Sequence, residues 1–289
     1  MRVLVAGATG FIGSNLIGQL AARGHEIEGW GRRPEPPDHL NSYRSLDMTD
    51  SSTFSGLTGE WDAAYLLSAH SVPGSPWNDE MVLENLGIAG RFLQFIKTTS
   101  PGCRVIMASS ALVYGPADSK LTELHPRSPG GLYALSKAMM EDWAGYAARS
   151  MDIQIVRIFN QVGPGMPKGL LASDALERLR EGSGVLSFNG SDSIRDYLDI
   201  RDGVDALMRV GEVKAPSGST WNICSGEGLS VSELAGLLME VLEIQKPIAF
   251  RQDEPDTLVG DPTKLQEATG WTPRHPMREA LKRLADSAM

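Results

Sequence analysis

The sequence is poor in cysteine and contains no long apolar run. Its two cysteines, Cys103 and Cys224, lie far apart, and neither belongs to a C-x-x-C motif or to a histidine spacing typical of metal ligands. A disulfide framework and a metal site are therefore not expected, and two free thiols indicate a reducing cytoplasm. No apolar stretch is long enough to cross a bilayer, and the first strand pattern starts at Val3, which leaves no room for a signal peptide.

A run of basic residues is also missing. The formal net charge is −9 over 289 residues. This balance disfavours nucleic acid and anionic membrane surfaces as partners. Anionic small molecules stay open as ligands, because a few local arginines can outweigh a global negative charge.

What the sequence does contain begins with an apolar run, Val3–Ala6, suited to a buried strand. Gly7, Gly10 and Gly13 follow at once, and a helical pattern opens directly after them. A strand, a glycine turn and a helix N-terminus in this order form an anion site, because the glycines permit a tight turn, close approach of a pyrophosphate and packing of the helix on the strand. The spacing G-x-x-G-x-x-G is not diagnostic alone, so a plain βα turn with chance glycines is the alternative.

The first half of the chain alternates strand and helix patterns in the rhythm of βαβ units. Strands are predicted at residues 3–6, 26–30, 43–47, 63–67, 104–108 and 153–158, and helices near 80–97 and 132–149. Beyond Gln161, helices are predicted at 171–181, within 196–210 and at 230–242, the last behind a Ser230-x-x-Glu233 capping signal. The pattern predicts an α/β fold, a Rossmann-type doubly wound parallel sheet with a smaller C-terminal substrate-binding lobe.

Neither an internal repeat nor a low-complexity linker separates the two parts. We therefore expect residues 1–160 to form a dinucleotide-binding domain, with residues 196–212 returning to it. Residues 161–289 are expected to supply most of the substrate-binding lobe, interleaved with the first. A ligand would bind in the crevice between them.

Tyr133 and Lys137 are spaced to share one face of a helix. A nearby ammonium favours the phenolate, so we expect a lowered pKa for Tyr133, which would make it a general acid or base near neutral pH. Ser110 ends a predicted strand, where a hydroxyl could hydrogen-bond a substrate oxygen beside Tyr133. The alternatives are a tyrosine and a lysine on an ordinary helix surface, and a serine that caps the turn after its strand.

The glycine motif Gly7-x-x-Gly10-x-x-Gly13, then Ser110, and then Tyr133-x-x-x-Lys137 follow one another along the chain. This order resembles the extended short-chain dehydrogenase/reductases, which include the NAD(P)-dependent epimerases, dehydratases and reductases of sugar nucleotides. The resemblance runs nearly end to end. It continues through Leu67–His70, Val113–Gly115, Arg157–Gly165, Arg195–Asp199 and Gly260–Lys264. Residues 251–264 resemble the nucleotide-binding segment of the branch that contains the GDP-4-keto-6-deoxy-D-mannose reductases and the GDP-mannose dehydratases.

The departures from the family narrow the expected chemistry. Where the 4,6-dehydratases carry acidic residues after the hydroxyl residue, this chain has Ala111 and Leu112, which cannot move a proton. The 3,5-epimerising reductases carry a cysteine at the first of these positions and a histidine in the substrate lobe, and this chain has neither at the corresponding places. Ser110, Tyr133 and Lys137 remain, and they are the minimum set of residues for moving one hydride and one proton at a carbonyl.

The resemblance implies three catalytic residues, Ser110, Tyr133 and Lys137. It also implies substrate contacts from Ser110, Asn160, Arg195, Arg251 and Glu254. The arginines suit a diphosphate, because the planar guanidinium donors match its oxygens. An ion pair of Arg195 with Asp196 or Asp199 is the alternative. The implied cofactor contacts are Gly7, Thr9, Gly10, Phe11, Ile12, Gly13, Arg32, Arg33, Asp47, Met48, Leu67, Ser68, Ala69, Tyr133, Lys137 and Ile158.

The end of the second strand predicts which nicotinamide cofactor is used. NAD-selective proteins place an acidic residue there, on the ribose hydroxyls. This chain has Arg32 and Arg33 instead, which favours NADP(H) over NAD(H), with Arg32 on the 2′-phosphate, Arg33 on the adenine and Asp47 near the adenine amino group. A solvated basic turn is the alternative.

The expected activity is therefore NADPH-dependent reduction of the 4-keto group of a nucleotide-linked 4-keto-6-deoxyhexose. A 4-epimerase that retains its cofactor and a catalytically idle NADP-binding regulatory protein are the alternatives.

Two helices, near 80–97 and 132–149, have apolar positions all round, including Met139, Met140 and Trp143. In the family such helices form a four-helix dimer interface, so a homodimer is expected.

Overall fold

The computed structural model describes residues 1–70, 79–181, 186–189, 192–251 and 256–287. Short 3₁₀ turns at Ser51–Phe54 and Ala111–Val113 accompany the regular elements. In chain order these elements are β1 (Arg2–Ala6), α1 (Phe11–Ala22), β2 (Glu26–Gly31), β3 (Ser42–Ser45), β4 (Ala63–Leu66), α2 (Asp79–Thr99), β5 (Arg104–Ser110), α3 (Leu132–Ala147), β6 (Asp152–Ile158), β7 (Asn160–Val162), α4 (Leu171–Glu181), β8 (Leu186–Asn189), β9 (Ile194–Asp199), α5 (Ile200–Glu212), β10 (Ser219–Ile223), β11 (Gly228–Ser230), α6 (Val231–Leu242), β12 (Ile248–Arg251), β13 (Thr257–Leu258), α7 (Thr263–Thr269) and α8 (Met277–Ser287).

Seven strands form one parallel sheet in the order β10-β6-β5-β4-β1-β2-β3. The chain winds outward from β1 through β2 and β3, and then in the opposite direction through β4, β5 and β6. A crevice therefore opens at the carboxyl ends of β1 and β4, where ligands of such sheets bind. The predicted α/β, Rossmann-type doubly wound sheet is confirmed.

Both faces of the sheet are covered, because successive side chains of each strand point to opposite sides. Val3 and Val5 pack with α1 and α5 on one face, whereas Leu4 and Ala6 pack with α2 and α3 on the other. The second face contains an aromatic cluster around Trp30, which lies 5.9 Å from Trp61 and 6.2 Å from Phe92 between ring centroids. Burial on both faces explains why the strands appear as continuous apolar runs.

A smaller cluster of apolar side chains lies away from the large sheet. It joins α4, α6 and α8 beside the ladder β11-β9-β13, with β7 on β9. At its edge, the Ser230 hydroxyl caps α6 and the Glu233 carboxylate accepts the Ser230 N–H at 2.7 Å, which confirms the predicted capping box. The residue boundaries of the two lobes stay a prediction.

The strand β10 was not predicted, although it adds a seventh strand to the large sheet beside β6. Its sequence, Ser219-Thr-Trp-Asn-Ile223, is half polar and therefore lacks a strand signature. Its polar groups are satisfied by tertiary contacts, as in the 2.9 Å hydrogen bond from Trp221 Nε1 to Gln154 Oε1. Among the helices described, none is long and apolar enough to span a membrane.

Candidate active site

The turn between β1 and α1 forms one wall of the crevice. Gly7 adopts a φ of +97°, and its N–H and that of Ala8 both donate to Trp30 O at 2.9 Å. A Cβ on Gly13 would lie only 2.1 Å from Gly7 O, so only glycine lets the helix approach this closely. Gly10 precedes α1, and no side chain caps this end of the helix. The first peptide N–H groups of α1 thus face the crevice as donors for an anion.

The next wall is formed by the ends of β2 and β3. Arg32 and Arg33 directly follow β2 and are exposed, and the backbone carbonyl of Arg33 accepts a 2.5 Å hydrogen bond from Tyr43 Oη. Hydrogen bonds from the N–H and hydroxyl of Thr49 hold the pKa of Asp47 below its usual value, and the positive charge of Arg32 acts in the same direction. Two of the predicted cofactor residues, Arg32 and Asp47, are therefore near enough for the charge of one to act on the other. Met48, by contrast, is a buried core residue.

The segment after β4 closes over the turn. Leu67 and Ser68 donate their N–H groups to Ala6 O, at 2.8 and 3.1 Å, which places Leu67, Ser68 and Ala69 against the end of β1. Thr9 lies across from them, beside the end of β2, since a Cβ on Gly31 would come within 2.9 Å of its hydroxyl. The predicted cofactor residues on the first, second and fourth strands are thus brought together.

Asn85 of α2 was not among the predicted site residues. Its fully buried amide accepts the His70 N–H at 2.6 Å and donates to His70 O at 3.1 Å. The same amide donates to Ser136 Oγ at 2.9 Å, and that hydroxyl donates to Tyr133 O at 2.8 Å. Asn85 therefore ties the segment after β4 to the start of α3. The sequence signal for it is the resemblance itself, since Asn85 stands where the family's helix carries an asparagine.

The three predicted catalytic residues do meet at the carboxyl end of β5. The Ser110 hydroxyl lies beside the phenol of Tyr133 and acts to lower its pKa. Lys137 is buried, its Nζ donates to Ala108 O at 2.9 Å, and it lies 5.8 Å from the centroid of the Tyr133 ring. Ser110 also accepts the Leu112 N–H at 3.2 Å, so it caps the following turn as well. The predicted capping role of Ser110 is therefore confirmed, whereas its role toward a substrate stays a prediction.

The expected lowering of the pKa of Tyr133 is wrong. Burial of the phenol raises its pKa to about 12 and outweighs the opposing effect of the Ser110 hydroxyl. Burial also lowers the pKa of Lys137 to about 8, against the opposing carboxylate of Glu141. The error came from counting the charge of Lys137 without the desolvation of both side chains. As a result, Tyr133 is a proton donor at neutral pH.

A buried ion cluster supports the catalytic residues from behind, and sequence reasoning missed it. Glu141 accepts a 2.5 Å hydrogen bond from Ser109 Oγ, and Arg157 grips the same carboxylate with Nε at 3.0 Å and Nη2 at 2.7 Å. The Arg157 guanidinium lies 4.5 Å above the Tyr114 ring. Glutamate four residues after Lys137, with an arginine in a buried strand, is the pattern that could have indicated this pair.

The substrate side of the crevice is only partly as predicted. Ile158 ends β6 and is partly buried, and Asn160 donates to Asp196 O at 2.9 Å. Arg195 pairs with Asp256, with Nη2 donating to both carboxylate oxygens at 2.8 Å, so the expected pairing with Asp196 or Asp199 is wrong. Asp196 instead accepts hydrogen bonds from Ser225, Gly226 and Gly260, and Asp199 pairs with Arg201. Arg251 ends β12, and Glu254 lies outside the described residues.

The glycine turn at the crevice of a doubly wound sheet, with Ser110, Tyr133 and Lys137 beside it, defines a dinucleotide-binding α/β protein. The model of the NAD dependent epimerase/dehydratase family matches residues 3–224. The chain therefore belongs to that family. GDP-6-deoxy-D-mannose reductase of Pseudomonas aeruginosa is 26% identical, over 97% of this chain and 95% of the relative.

Two further relatives show the breadth of the family. GDP-6-deoxy-D-talose 4-dehydrogenase of Aggregatibacter actinomycetemcomitans is 26% identical, over 93% of this chain and 92% of the relative. A crystal structure of UDP-galactose 4-epimerase superimposes with a TM-score of 0.86 at 27% identity and covers 100% of this chain and 98% of that one. Reductases, dehydrogenases and epimerases of sugar nucleotides thus share this architecture.

The residues present fit the nicotinamide cofactor that the family name implies. The start of α1 has no side-chain cap, so its N–H groups can bind a pyrophosphate. The glycines of the turn leave no Cβ in the way, so the phosphate can approach the backbone closely. The buried ammonium of Lys137 has a single protein acceptor in the described contacts, Ala108 O, and an ammonium has three donors. Groups of His, Cys, Asp and Glu that could hold a metal ion do not occur within the described ranges.

Proposed function

We propose that this protein reduces the 4-keto group of a nucleotide-linked 4-keto-6-deoxyhexose with NADPH. The proposal depends above all on the hydroxyl of Ser110 beside the phenol of Tyr133 and the buried Lys137, with Ala111 and Leu112 directly after Ser110. This set can polarise and protonate a carbonyl oxygen. Beyond Ser110 it offers neither a carboxylate nor a thiol at the two positions where dehydration or epimerisation at other carbons would need one.

In the proposed reaction, the C4 oxygen accepts hydrogen bonds from Ser110 and Tyr133. When bound, the reduced nicotinamide supplies the hydride. Tyr133 gives its proton to that oxygen as negative charge develops there, and a pKa raised to about 12 keeps the phenol protonated until then. The Lys137 ammonium stabilises the phenolate that forms and holds the nicotinamide ribose.

Ser110, Tyr133 and Lys137 would serve a reductase and a 4-epimerase alike, so the preference for reduction rests on the relatives. One of them is GDP-6-deoxy-D-mannose reductase. The names of two relatives, GDP-6-deoxy-D-mannose reductase and GDP-6-deoxy-D-talose 4-dehydrogenase, support a nucleotide-linked 6-deoxyhexose as the proposed substrate class. The 4-epimerase stays the second candidate, because UDP-galactose 4-epimerase shares the fold at 27% identity.

The proposed preference for NADPH follows from the end of β2. Arg32 and Arg33 are exposed there, and Arg32 lies close enough to Asp47 to act on its pKa. At the two positions directly after β2, where a carboxylate would repel a 2′-phosphate, this chain has Arg32 and Arg33. For the nucleotide sugar, Asn160 and Arg251 stay proposed contacts together with Ser110 and Glu254. Arg195 can contribute only if the diphosphate replaces Asp256 in its ion pair.

The decisive experiment supplies GDP- and dTDP-4-keto-6-deoxyhexoses with NADPH and follows both absorbance at the reduced nicotinamide band and the product by NMR. Stoichiometric consumption of NADPH with formation of a 6-deoxyhexose is expected. Conversion of a nucleotide hexose into its C4 epimer without net loss of cofactor would identify the epimerase instead. Tight NADPH binding with no turnover of any nucleotide sugar would favour the idle regulatory protein.

A further inference from the structure

The buried carboxylate of Glu141 has no role in the proton and hydride transfer proposed above, yet it lies one helical turn beyond Lys137. Tyr133, Lys137 and Glu141 follow each other at intervals of four on α3, so they form one stripe. Lys137 is 2% exposed and Glu141 6%. A carboxylate is rarely buried to this extent unless it is paired.

Two consecutive residues of β5 anchor this stripe. Ala108 O accepts from Lys137 Nζ at 2.9 Å, and Ser109 Oγ donates to Glu141 Oε1 at 2.5 Å. The next residue in the strand is Ser110. The two anchors therefore fix the end of β5 against α3, and with it the distance between the Ser110 hydroxyl and Tyr133.

Charges from three parts of the chain surround Glu141. Arg157 of β6 donates to both carboxylate oxygens of Glu141. Arg127, from the loop before α3, places Nη1 3.4 Å from Glu141 Oε2. On α3 itself, Lys137 is the neighbouring cation, and the carboxylate of Glu141 raises its pKa against the effect of burial. Removing the carboxylate would leave the buried guanidinium of Arg157 without its partner and Lys137 without the negative charge that acts on it.

We propose that Glu141 is a positioning residue, whose charge acts on the ammonium of Lys137 one helical turn away and whose hydrogen bond with Ser109 holds the carboxyl end of β5 in its working arrangement. It contacts neither substrate nor reacting atoms. Its charge keeps Lys137 protonated over the pH range of activity, and its hydrogen bond with Ser109 keeps Ser110 in register with Tyr133. The inference rests on the proposed role of Lys137 at the cofactor, but not on the identity of the sugar.

The test is Glu141→Gln, which preserves the shape of the side chain and an acceptor for Ser109 but removes the charge. NADPH affinity is measured by nicotinamide fluorescence from pH 6 to pH 10. In the wild type, binding is expected to weaken as the pH rises through about 8, where Lys137 loses its proton. In Glu141→Gln this weakening should begin at least about one pH unit lower, since a nearby opposite charge shifts pKa values by roughly 1–3 units.

Two matched variants separate charge from shape. Asp142→Asn removes the neighbouring carboxylate, which is exposed and pairs with Arg127 at 2.5 Å, and should leave the pH midpoint unchanged. Ser109→Ala removes the anchor but no charge, so it should lower kcat without moving the midpoint. If Glu141→Gln does not fold, Glu141→Asp replaces it, and a wild-type midpoint with a lowered kcat is expected.

A midpoint of Glu141→Gln equal to that of the wild type would overturn the inference, and so would equal shifts in Glu141→Gln and Asp142→Asn. The same holds for a Glu141→Asp variant whose kcat matches the wild type. These outcomes are distinct from failure of the proposed function. Absence of ketosugar reduction by the wild type would overturn the proposed function alone, because the fluorescence titration needs only NADPH.

Discussion

The phenol of Tyr133 carries the proton in the proposed reaction, and Tyr133→Phe removes little more than its oxygen. We expect kcat to fall by about two to four orders of magnitude, the usual range for loss of a positioned general acid. NADPH affinity should stay within about threefold, because the ring and Lys137 stay in place. Steady-state kinetics and a fluorescence titration measure the two quantities. Ser110→Ala is the comparison and should cost less, and wild-type turnover in Tyr133→Phe would refute the assignment.

Lys137 sets the pH dependence of the free enzyme. Its pKa is lowered to about 8, so it is an ammonium below that pH and a neutral amine above it. The pKa of Tyr133, about 12, keeps that residue neutral throughout. We therefore expect kcat/KM for NADPH to decrease above about pH 8, with no further decrease from Tyr133 below pH 10. A profile flat from pH 6 to pH 10 would contradict this.

Arg32 determines the choice of cofactor in our proposal. A hydrogen bond to a charged group contributes roughly 1.5–3 kcal/mol, which corresponds to about one to two orders of magnitude in affinity. Wild-type kcat/KM is thus expected to favour NADPH over NADH at least tenfold, and Arg32→Ala should remove most of that preference. Arg33→Ala is the matched control, since stacking on adenine serves both cofactors alike. Equal use of NADPH and NADH by the wild type would defeat the proposal.

At these individual positions, sequence reasoning succeeded where the effect was local. Ser110, Tyr133 and Lys137 meet as predicted because each stands at the end of a strand or on one helix face. It failed where burial decided the result. The pKa of Tyr133 rises instead of falling, and Arg195 pairs with Asp256, which lies far from it in sequence. Desolvation and distant partners belong to the packed molecule, so a single sequence does not display them.

Among the elements, the turn from β1 into α1 is the most constrained by packing. Gly13→Ala would place a Cβ 2.1 Å from the backbone oxygen of Gly7, and a backbone atom cannot move aside cheaply. We expect a lower melting temperature and at least about tenfold weaker NADPH binding, measured by thermal unfolding and fluorescence. Gly18→Ala, on the same helix, has open space around its Cβ and should stabilise by up to about 1 kcal/mol. Similar effects of the two substitutions would contradict this account.

The elements also show how far pattern reasoning reaches. The helix predicted at 171–181 matches α4, and the capping signal at Ser230 marks the start of α6, because both depend on neighbouring residues alone. By contrast, β10 carries three polar residues out of five and pairs with β6, more than sixty residues earlier. Only the completed sheet makes a strand of it. Glu141 and Arg157 likewise became visible as a pair only once β6 lay beside α3.

At the scale of the whole molecule, the distribution of exposed apolar side chains is uneven. In the part of the chain that the structure describes, α2 and α3 hold Leu83, Leu135, Met139, Trp143 and Tyr146, which are exposed. The two helices also pack on each other, with the Trp143 ring only 2.3 Å from where a Cβ on Gly90 would lie. Water contact with so much apolar surface on one face is unfavourable, and burial against a partner would relieve it.

We therefore predict that two copies of the chain associate through α2 and α3 as a homodimer. Sedimentation velocity at micromolar concentration should show a species of twice 31.2 kDa. The double variant Leu135→Glu and Trp143→Glu should sediment as a monomer, because charges would then be buried without partners in the interface. Leu124→Glu is the control, since Leu124 is 94% exposed but lies outside both helices, and it should stay dimeric. A monomeric wild type, or dissociation by Leu124→Glu as readily as by the double variant, would show that the apolar face has another purpose.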